Sequence, residues 1–417
     1  MIRNNMSKIK LLILSDSPYS TTDTGYQIRN VFCKLPESQF ETTILCPNDG
    51  GINQPFKVGT AKVYPVLGEG FGNVSVVREA LSLAKPDIIL LFTDLNAIQY
   101  VFNIDNEIRS KARLVAYDAL ESTPFVKHYK TYASGLDEYI TYSPITSEIL
   151  SKNDIQSSVI PFGLNTGEFR LLEDKEYETM KKQVLKDDLK NVVTFLWHNI
   201  NNSRNRPLDV INAFKNAYDS KKEISLLMLF QGYEQDYVPV QQYIMDYAPQ
   251  LPIIIDDQIN SKIPLNAHYY MSDAYVSIPT VNKFEFGALK ALATGKTALL
   301  SPTMGCESLR HTLDEELAGQ KTGIGIISSQ GVMLDGDSVV PYANNVIADT
   351  TELTEWMLNM PKSKITTSNS DYKPVIEAIN EQYATKKIID KWVSKLQEIT
   401  GSESTYNKNR ISVFQIK

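Results

Sequence analysis

The sequence contains little cysteine and no long apolar run, and these two shortages exclude several classes of protein. The 417 residues include three cysteines, Cys33, Cys46 and Cys306, which form no CxxC pair. A disulfide framework and a CxxC-type zinc or redox site are therefore excluded. The apolar run near the start covers only residues 11–14, whereas a secretory signal has about 7–15 apolar residues and a membrane helix about 18. We therefore expect a soluble protein of the reducing cytoplasm.

Positive charge is also in short supply. Lysine and arginine number 42 against 49 aspartate and glutamate residues, which gives a net charge of −7. Such a balance favours solubility but provides no overall basic field for nucleic acid or an anionic membrane. Apolar residues make up 42% and charged residues 22% of the chain, as in ordinary globular proteins. The length fits at least two domains of roughly 100–200 residues.

Short apolar runs recur along the chain, and most are continuous rather than alternating. Continuous runs of this length are typical of strands that a parallel sheet buries on both faces. Amphipathic stretches separate them, for example residues 207–218, in which Val210, Phe214 and Ala217 share one helical face. The alternation predicts βαβ units, with strands at residues 9–14, 42–46, 87–92, 114–117, 139–141, 159–160, 192–197, 224–230, 253–255, 274–278, 297–300 and 325–327.

The alternation of predicted strands and helices is interrupted at residues 165–190, which are highly charged and contain no strand signal. Because there are too many strands for one ordinary sheet, we predict two doubly wound, Rossmann-like α/β domains. The predicted boundaries are an N-terminal domain at 1–165, a linker at 166–190, a C-terminal domain at 191–372, and a closing helix with a tail at 373–417. Ligands of such sheets bind beyond the carboxyl ends of the strands, so the site is expected in a central cleft between the two domains.

Two segments of the N-terminal half follow predicted strands and carry polar residues suited to a ligand. Residues 15–29, SDSPYSTTDTGYQIR, contain small hydroxyl residues and Gly25, which let the backbone approach a ligand at a helix N-terminus. They contain no GxGxxG, so the dinucleotide-binding fingerprint is absent. Residues 114–127 contain Asp118 and Glu121, whose carboxylates could accept a proton or bind sugar hydroxyls. The alternatives are an ordinary polar loop for the first segment and helix capping or solvation for the second.

The C-terminal half has a similar segment at residues 195–207, FLWHNINNSRNRP. It places His198, Arg204 and Arg206 after a predicted buried strand. Arginine binds diphosphate oxygens well because it offers paired donors and never loses its charge. The two arginines therefore predict a phosphate clamp, with exposed loop charge as the alternative. His198 is a further candidate for contact with the ligand.

Residues 272–302, SDAYVSIPTVNKFEFGALKALATGKTALLSP, read as a strand, a loop, a short helix and a second strand. The helix begins near Phe286, Gly287 and Ala288, where free backbone N–H groups would face a phosphate. Taken alone, this is the pattern of any βαβ unit. Taken together with residues 195–207, it resembles the donor-binding block of the GT-B glycosyltransferases of family 4.

Other segments resemble the same family, and together they cover most of the chain. VIPFGLNTGEFR at 159–170 is similar to the family's interdomain signature. VTFLWHNINNSRNRPLDVINAF at 193–214 is similar to the first strand and helix of its second domain. YATKKIIDKWVSKLQEI at 383–399 resembles the closing helix, which in the family packs on the first domain, and STTDTGYQIRNVF at 20–32 resembles the glycine-bearing first loop.

The chain departs from the family pattern at positions that matter for the donor. The family carries two glutamates eight positions apart, and Asn282 and Lys290 fall at those positions here. Lysine cannot accept a hydrogen bond from a ribose hydroxyl as the second glutamate does. Glu285, the nearest acid, is therefore expected to serve instead. Arg204 and Arg206 flank the position at which the family has a lysine.

The resemblance implies a hexosyltransferase-like enzyme that moves a sugar from a nucleotide sugar, expected to be a UDP-sugar, to a hydroxyl acceptor with retention of anomeric configuration. The donor is a co-substrate, and neither a cofactor nor a metal ion is expected. The catalytic candidates are Asp118, Glu121, Arg204 and Arg206. The candidates for binding the donor are Gly25, His198, Arg204, Arg206, Asn282, Glu285, Phe286, Gly287, Ala288 and Lys290.

The acceptor stays open at this point, and so do two alternative functions. A glycan, a lipid-linked glycan or a protein hydroxyl suits an acidic enzyme. A hydroxymethylated DNA base is an alternative, because the donor block also resembles that of phage DNA glucosyltransferases, but DNA would require a basic groove. The other alternative is a non-catalytic GT-B subunit that binds a glycan or a partner enzyme. The residues Asn282 and Lys290 at the two glutamate positions motivate it.

Overall fold

The computed structural model divides the chain into two compact units. Unit 1 comprises Met1–Ala119, Phe125–Gly163 and Tyr383–Lys417, and unit 2 comprises Leu120–Pro124 and Leu164–Gln382. Most of the predicted linker at 166–190 lies outside the described residues. The structure describes residues 7–48, 52–67, 70–127, 129–173, 175–176, 192–220, 223–233, 237–335, 343–360 and 372–402.

Unit 1 contains an eight-stranded sheet with the strand order β3-β4-β2-β1-β5-β6-β7-β8. Neighbouring strands are parallel except for β3 and β4. The central strand β5 is buried at every residue, as its continuous apolar sequence predicts. The strands are β1 (Ile9–Ser15), β2 (Phe40–Pro47), β3 (Phe56–Val58), β4 (Ala61–Val66), β5 (Ile88–Phe92), β6 (Arg113–Tyr117), β7 (Glu138–Thr141) and β8 (Ser158–Val159).

The helices of unit 1 pack on this sheet through apolar side chains. Leu12 and Leu14 of β1 share a core with Val77 of the second helix. The closing helix packs on unit 1 as well, because Trp392 is fully buried and its ring centroid lies 4.9 Å from that of Phe32. The helices are α1 (Asp23–Asn30), α2 (Val74–Ala84), α3 (Gln99–Phe102), α4 (Asp105–Arg109), α5 (Tyr129–Ser134), α6 (Pro144–Ser151) and the closing helix α14 (Thr385–Gly401).

Unit 2 contains a six-stranded, fully parallel sheet with the order β11-β10-β9-β12-β13-β14. Counted within this sheet, the strands lie in the order third, second, first, fourth, fifth, sixth, which is that of a doubly wound Rossmann sheet. The strands are β9 (Val193–Asn201), β10 (Ile224–Tyr233), β11 (Ile253–Asp257), β12 (Ala274–Ser277), β13 (Thr297–Leu300) and β14 (Ile324–Ile326).

The helices of unit 2 follow its strands, as the alternation of apolar runs and amphipathic stretches in the sequence predicts. The helix predicted at 207–218 is confirmed, since it begins at Pro207 and buries Val210, Phe214 and Ala217. The helices are α7 (Pro207–Ser220), α8 (Val240–Tyr247), α9 (Leu265–Met271), α10 (Phe286–Ala293), α11 (Met304–Leu317), α12 (Thr350–Asn359) and α13 (Lys373–Tyr383).

The sequence did not predict an antiparallel hairpin that follows the parallel sheet of unit 2. It consists of β15 (Ser329–Asp335) and β16 (Ala343–Ala348). Val346 N donates to the carbonyl of Thr280 at 2.8 Å, and Asn344 N donates to the carbonyl of Thr123 at 2.9 Å. These bonds hold the segment Leu120–Pro124 and the loop after β12 on the same hairpin.

Candidate functional site

The candidate site of unit 2 lies where its strand order reverses, between the adjacent strands β9 and β12. Loops that leave such a pair run in opposite directions and open a crevice at the carboxyl ends of the strands, which is where α/β sheets bind ligands. His198 lies on β9, and the loop after β12 leads to α10. The predicted donor-binding residues of the C-terminal half are therefore close to this point.

His198 is a buried, neutral histidine. Its Nε2 atom donates to Oε1 of Gln258 at 2.7 Å, and its Nδ1 atom accepts from the hydroxyl of Tyr269 at 2.8 Å. Burial, together with the nearby charge of Lys290, holds the pKa of His198 well below its usual range. Both ring nitrogens are engaged within the protein, so His198 positions the end of β9 rather than offering a nitrogen to a ligand.

Glu285 is a buried carboxylate directly before α10, with 4% of its surface exposed. It accepts hydrogen bonds from the Tyr275 hydroxyl at 3.0 Å and from the side-chain amide of Asn282 at 2.5 Å. Burial, and then the charge of Glu285, raises the pKa of Tyr275 well above its usual value, so the phenol stays protonated and donates. The Tyr275 hydroxyl also lies 3.3 Å from the carbonyl oxygen of His198, so it connects the start of α10 to β9.

Asn282 joins the loop after β12 to the start of α11. Its side-chain oxygen accepts from the Thr303 hydroxyl at 2.7 Å, and its carbonyl accepts from Gly305 N at 3.2 Å. A Cβ atom on Gly305 would lie 2.3 Å from the Asn282 side-chain oxygen, so only glycine permits this approach. The sequence analysis predicted that Asn282 binds the donor. In the structure its side-chain amide contacts Glu285 and Thr303 instead and holds the loop.

The first turn of α10 packs directly on Tyr275. A Cβ atom on Gly287 would lie 2.1 Å from the Tyr275 hydroxyl oxygen, which leaves no room for any other residue. Phe286 and Ala288 have buried side chains. The three residues could therefore meet a ligand only through their backbone, and their contact with a phosphate at the helix N-terminus stays a prediction.

Lys290 lies one turn further along α10 and has only 2% of its surface exposed. Its Nζ atom is 4.4 Å from the ring centroid of Phe286, a cation–π contact that compensates in part for the burial of the charge. The charge also acts on His198, whose pKa it helps to lower. Lys290 thus supplies positive potential below the first turn of α10.

Arg204 and Arg206 lie in the loop after β9 and are partly exposed. Arg204 Nη1 is 3.4 Å from a carboxylate oxygen of Glu121, and Arg206 Nε is 2.5 Å from Asp209. Thr280 N donates to the carbonyl of Arg204 at 2.9 Å, which fixes the loop beside the end of β12. Arg204 and Glu121 therefore form an ion pair with each other in unit 2.

Gly25 and Asp118 belong to unit 1. Asp118 directly follows β6, is buried, and accepts from Ala119 N at 2.8 Å. A Cβ atom on Gly25 would lie 2.8 Å from the carbonyl oxygens of Ser17 and Ser20. Gly25 is thus required for close packing of the first loop on α1.

Sequence reasoning missed three residues that organise the site. Tyr275 lies within a predicted buried strand, and Tyr269 and Gln258 lie in segments without any motif. Their roles follow from contacts between residues that are about 10 to 71 positions apart, and no local pattern could have indicated them. Within the described ranges, no group of three or more His, Cys, Asp and Glu residues could hold a metal ion, and no helix is long and apolar enough to cross a membrane.

Comparison with solved structures identifies the fold of the chain as GT-B. HepE (Alr3699) from Anabaena, solved with UDP-glucose, has a TM-score of 0.67 at 12% identity, over 94% of this chain and 100% of that one. Sucrose-phosphate synthase from Thermosynechococcus elongatus has a TM-score of 0.68 at 11% identity, over 95% and 100%. Trehalose 6-phosphate synthase from Burkholderia multivorans has a TM-score of 0.64 at 12% identity, over 95% and 99%. No protein-family model and no curated protein sequence matches the chain.

Proposed function

We propose that the chain is a glycosyltransferase that takes a sugar from a UDP-sugar and transfers it to a hydroxyl acceptor with retention of configuration. The GT-B fold supports this proposal, since HepE of the same fold was solved with UDP-glucose. The other two similar structures are a sucrose-phosphate synthase and a trehalose 6-phosphate synthase. Because one fold can host many functions, the proposal depends on the site in unit 2.

The proposed function rests on one observation in unit 2. The ends of two strands and the first turn of a helix come together where the strand order of the sheet reverses. The bond from Thr280 N to the carbonyl of Arg204, at 2.9 Å, joins the loop after β12 to the loop after β9. The Tyr275 hydroxyl joins α10 to β9 through Glu285 and His198. A diphosphate bound here would meet backbone N–H groups at the start of α10 and the guanidinium of Arg204.

In the proposed reaction the bond between the anomeric carbon and the diphosphate oxygen breaks, and the oxygen keeps the electron pair. The acceptor oxygen forms the new bond to that carbon and loses its proton. Arg204, Arg206 and N–H groups near Gly287 would stabilise the negative charge that develops on the diphosphate, without a metal ion. The proton of the acceptor would pass to an oxygen of the departing diphosphate. A catalytic role for Asp118, which is buried in unit 1, stays a prediction.

The first test is release of UDP by the full chain from a panel of UDP-sugars, followed by the double variant Arg204→Ala, Arg206→Ala. Loss of one such donor typically costs about 10²–10³ in rate, so the double variant is expected to lose at least about 10²-fold in kcat. The matched control is Arg310→Ala. Arg310 is a partly exposed arginine of α11 that is paired with Glu307 and Asp314. Its removal should leave UDP release unchanged. Normal turnover by the double variant would remove the two arginines from the proposal.

A non-catalytic GT-B subunit is the second candidate, and one observation favours it. Glu285 already accepts hydrogen bonds from Tyr275 and Asn282, and the other expected acid position is the buried Lys290. A ribose would therefore meet few open acceptors in this part of unit 2. Calorimetry with UDP separates the two candidates: an enzyme binds UDP and releases it from a UDP-sugar, whereas absence of both supports the subunit.

A further inference from the structure

Tyr19 of unit 1 is an exposed aromatic residue at the carboxyl edge of the sheet. It lies in the loop after β1, and 60% of its surface is exposed. Its ring centroid is 5.4 Å from that of Phe56, and the two ring planes differ by 15°. Phe56, the first residue of the edge strand β3, thus covers one face of the tyrosine ring. The other face is open to solvent.

The loop that carries Tyr19 is held firmly. Arg29 Nη1 donates to the carbonyl of Pro18 at 2.6 Å, and Ser20 N donates to the carbonyl of Ser17 at 2.9 Å. Gly25 packs against the same loop so closely that a Cβ atom there would collide with backbone oxygens. The open ring face is therefore presented in one fixed orientation, and a ligand would not have to bear the entropic cost of ordering this loop.

Uncharged hydrogen-bonding groups lie at the same edge of the sheet. Asn48 directly follows β2, the neighbour of β1. Its Nδ2 atom donates to Oδ1 of Asn53 at 2.5 Å. Its own Oδ1 atom is shielded from solvent and accepts no hydrogen bond from the part of the chain that the structure describes. An unsatisfied acceptor is costly when it is shielded from water. Rotation of the Asn48 amide toward a ligand hydroxyl beside the loop would supply the missing donor.

We propose that Tyr19, stacked on Phe56, is the platform on which a saccharide acceptor lies. A pyranose ring presents a face of C–H groups, which suits an open aromatic face, and a rim of hydroxyls, which suits a side-chain amide such as that of Asn48. A phosphorylated ligand fits less well, because the nearby guanidinium of Arg29 is engaged by Pro18 and by the ring of Tyr26. The inference rests on the proposed function and names its acceptor class.

The test measures how methyl glucoside, methyl galactoside, maltose and cellobiose stimulate release of UDP from UDP-glucose by the full chain. For the saccharide that stimulates most, Tyr19→Ala should raise the acceptor KM about tenfold, since loss of an aromatic contact of about 1.4 kcal/mol corresponds to that factor. The acceptor-independent release of UDP should not change. Tyr19→Phe keeps the ring and should retain the normal KM. Tyr247→Ala is the control, because Tyr247 is 66% exposed and also packs on a second ring, that of Tyr243.

Saturation-transfer NMR with the same four saccharides provides a measurement that needs no turnover. Transfer to the saccharide in the wild type and its loss in Tyr19→Ala support the platform even if the chain releases no UDP, which would count against the proposed function alone. An unchanged KM in an active Tyr19→Ala variant overturns the inference. So does an enzyme that releases UDP but is stimulated by a hydroxyl-bearing peptide and by none of the saccharides.

Discussion

Among individual residues, Arg204 has the environment that bears most directly on the proposed donor site. Its guanidinium lies 3.4 Å from Glu121, and 47% of its side chain is exposed. An ion pair of this kind is worth only about 0.2–1 kcal/mol, because water screens it. A doubly charged diphosphate would therefore displace Glu121 from the arginine. Donor binding would be weakened by the free energy of the ion pair that has to be broken.

Glu121→Gln is expected to tighten UDP binding by about two- to fivefold, because it releases Arg204 and removes a negative charge from the phosphate site. Titration calorimetry with UDP measures the change in Kd. Glu307→Gln removes one of the two carboxylate partners of Arg310 on α11 and should leave Kd unchanged. Equal or weaker binding of UDP to Glu121→Gln would show that the carboxylate supports the site rather than competing with the ligand.

Among the secondary-structure elements, α10 matters most for the proposed donor site because its first turn packs on a neighbouring strand. Tyr275 of β12 lies under the turn, and its hydroxyl bonds to Glu285, the residue that precedes the helix. The N–H groups of the turn keep their direction only while this packing is tight. Glycine at position 287 is thus required by the geometry of the site.

Gly287→Ala is expected to destabilise unit 2 by about 1–3 kcal/mol, because an added methyl group would overlap the Tyr275 hydroxyl. UDP binding should weaken as well, since the turn must shift away from β12. Denaturant unfolding and calorimetry measure the two effects. Gly331→Ala is the matched control, because a Cβ atom on Gly331 would have no atom of the described residues within 4 Å. A variant Gly287→Ala with normal stability would contradict the described packing of α10.

At the scale of the whole molecule, each of the two units has its own apolar core. In unit 1, α14 buries Trp392 and Leu396 completely, although it is far from β1 in the sequence. In unit 2, α12 buries Leu353, which packs in a core with Val210 of α7. Each core contains buried residues that only its own unit supplies, so a cavity in one core should act first on that unit.

Leu396→Ala is expected to cost about 2–5 kcal/mol and to speed amide hydrogen exchange in strands β1 and β5 of unit 1. Leu353→Ala should have a similar cost but should act on β9 and β10 of unit 2. Hydrogen exchange followed by mass spectrometry assigns each effect to its strands. If either variant accelerated exchange equally in both units, the cores would not be separate.

The sequence was sufficient for most strands of the parallel sheets, because continuous apolar runs and amphipathic helices are local patterns. It did not predict β3 and β4 of unit 1. It did not reveal the hairpin β15–β16, whose strands are held together by long-range pairing and joined to Thr123 and Thr280. The candidate site was predicted only in part. Residues 286–288 could be named from the start of a helix, but the role of Tyr275 depends on contacts across the fold.

The sequence by itself determined the class of fold, since hydrophobic periodicity decides which segments become buried strands and helices. It also indicated the loops in which the candidate ligand-binding residues lie. Only the tertiary structure decided what the polar residues of those loops do. It engaged both nitrogens of His198, directed Asn282 and Tyr275 to Glu285, and left one face of the Tyr19 ring open. The physical reason is that hydrogen bonds and burial depend on the neighbours that folding brings together, which are distant in the sequence.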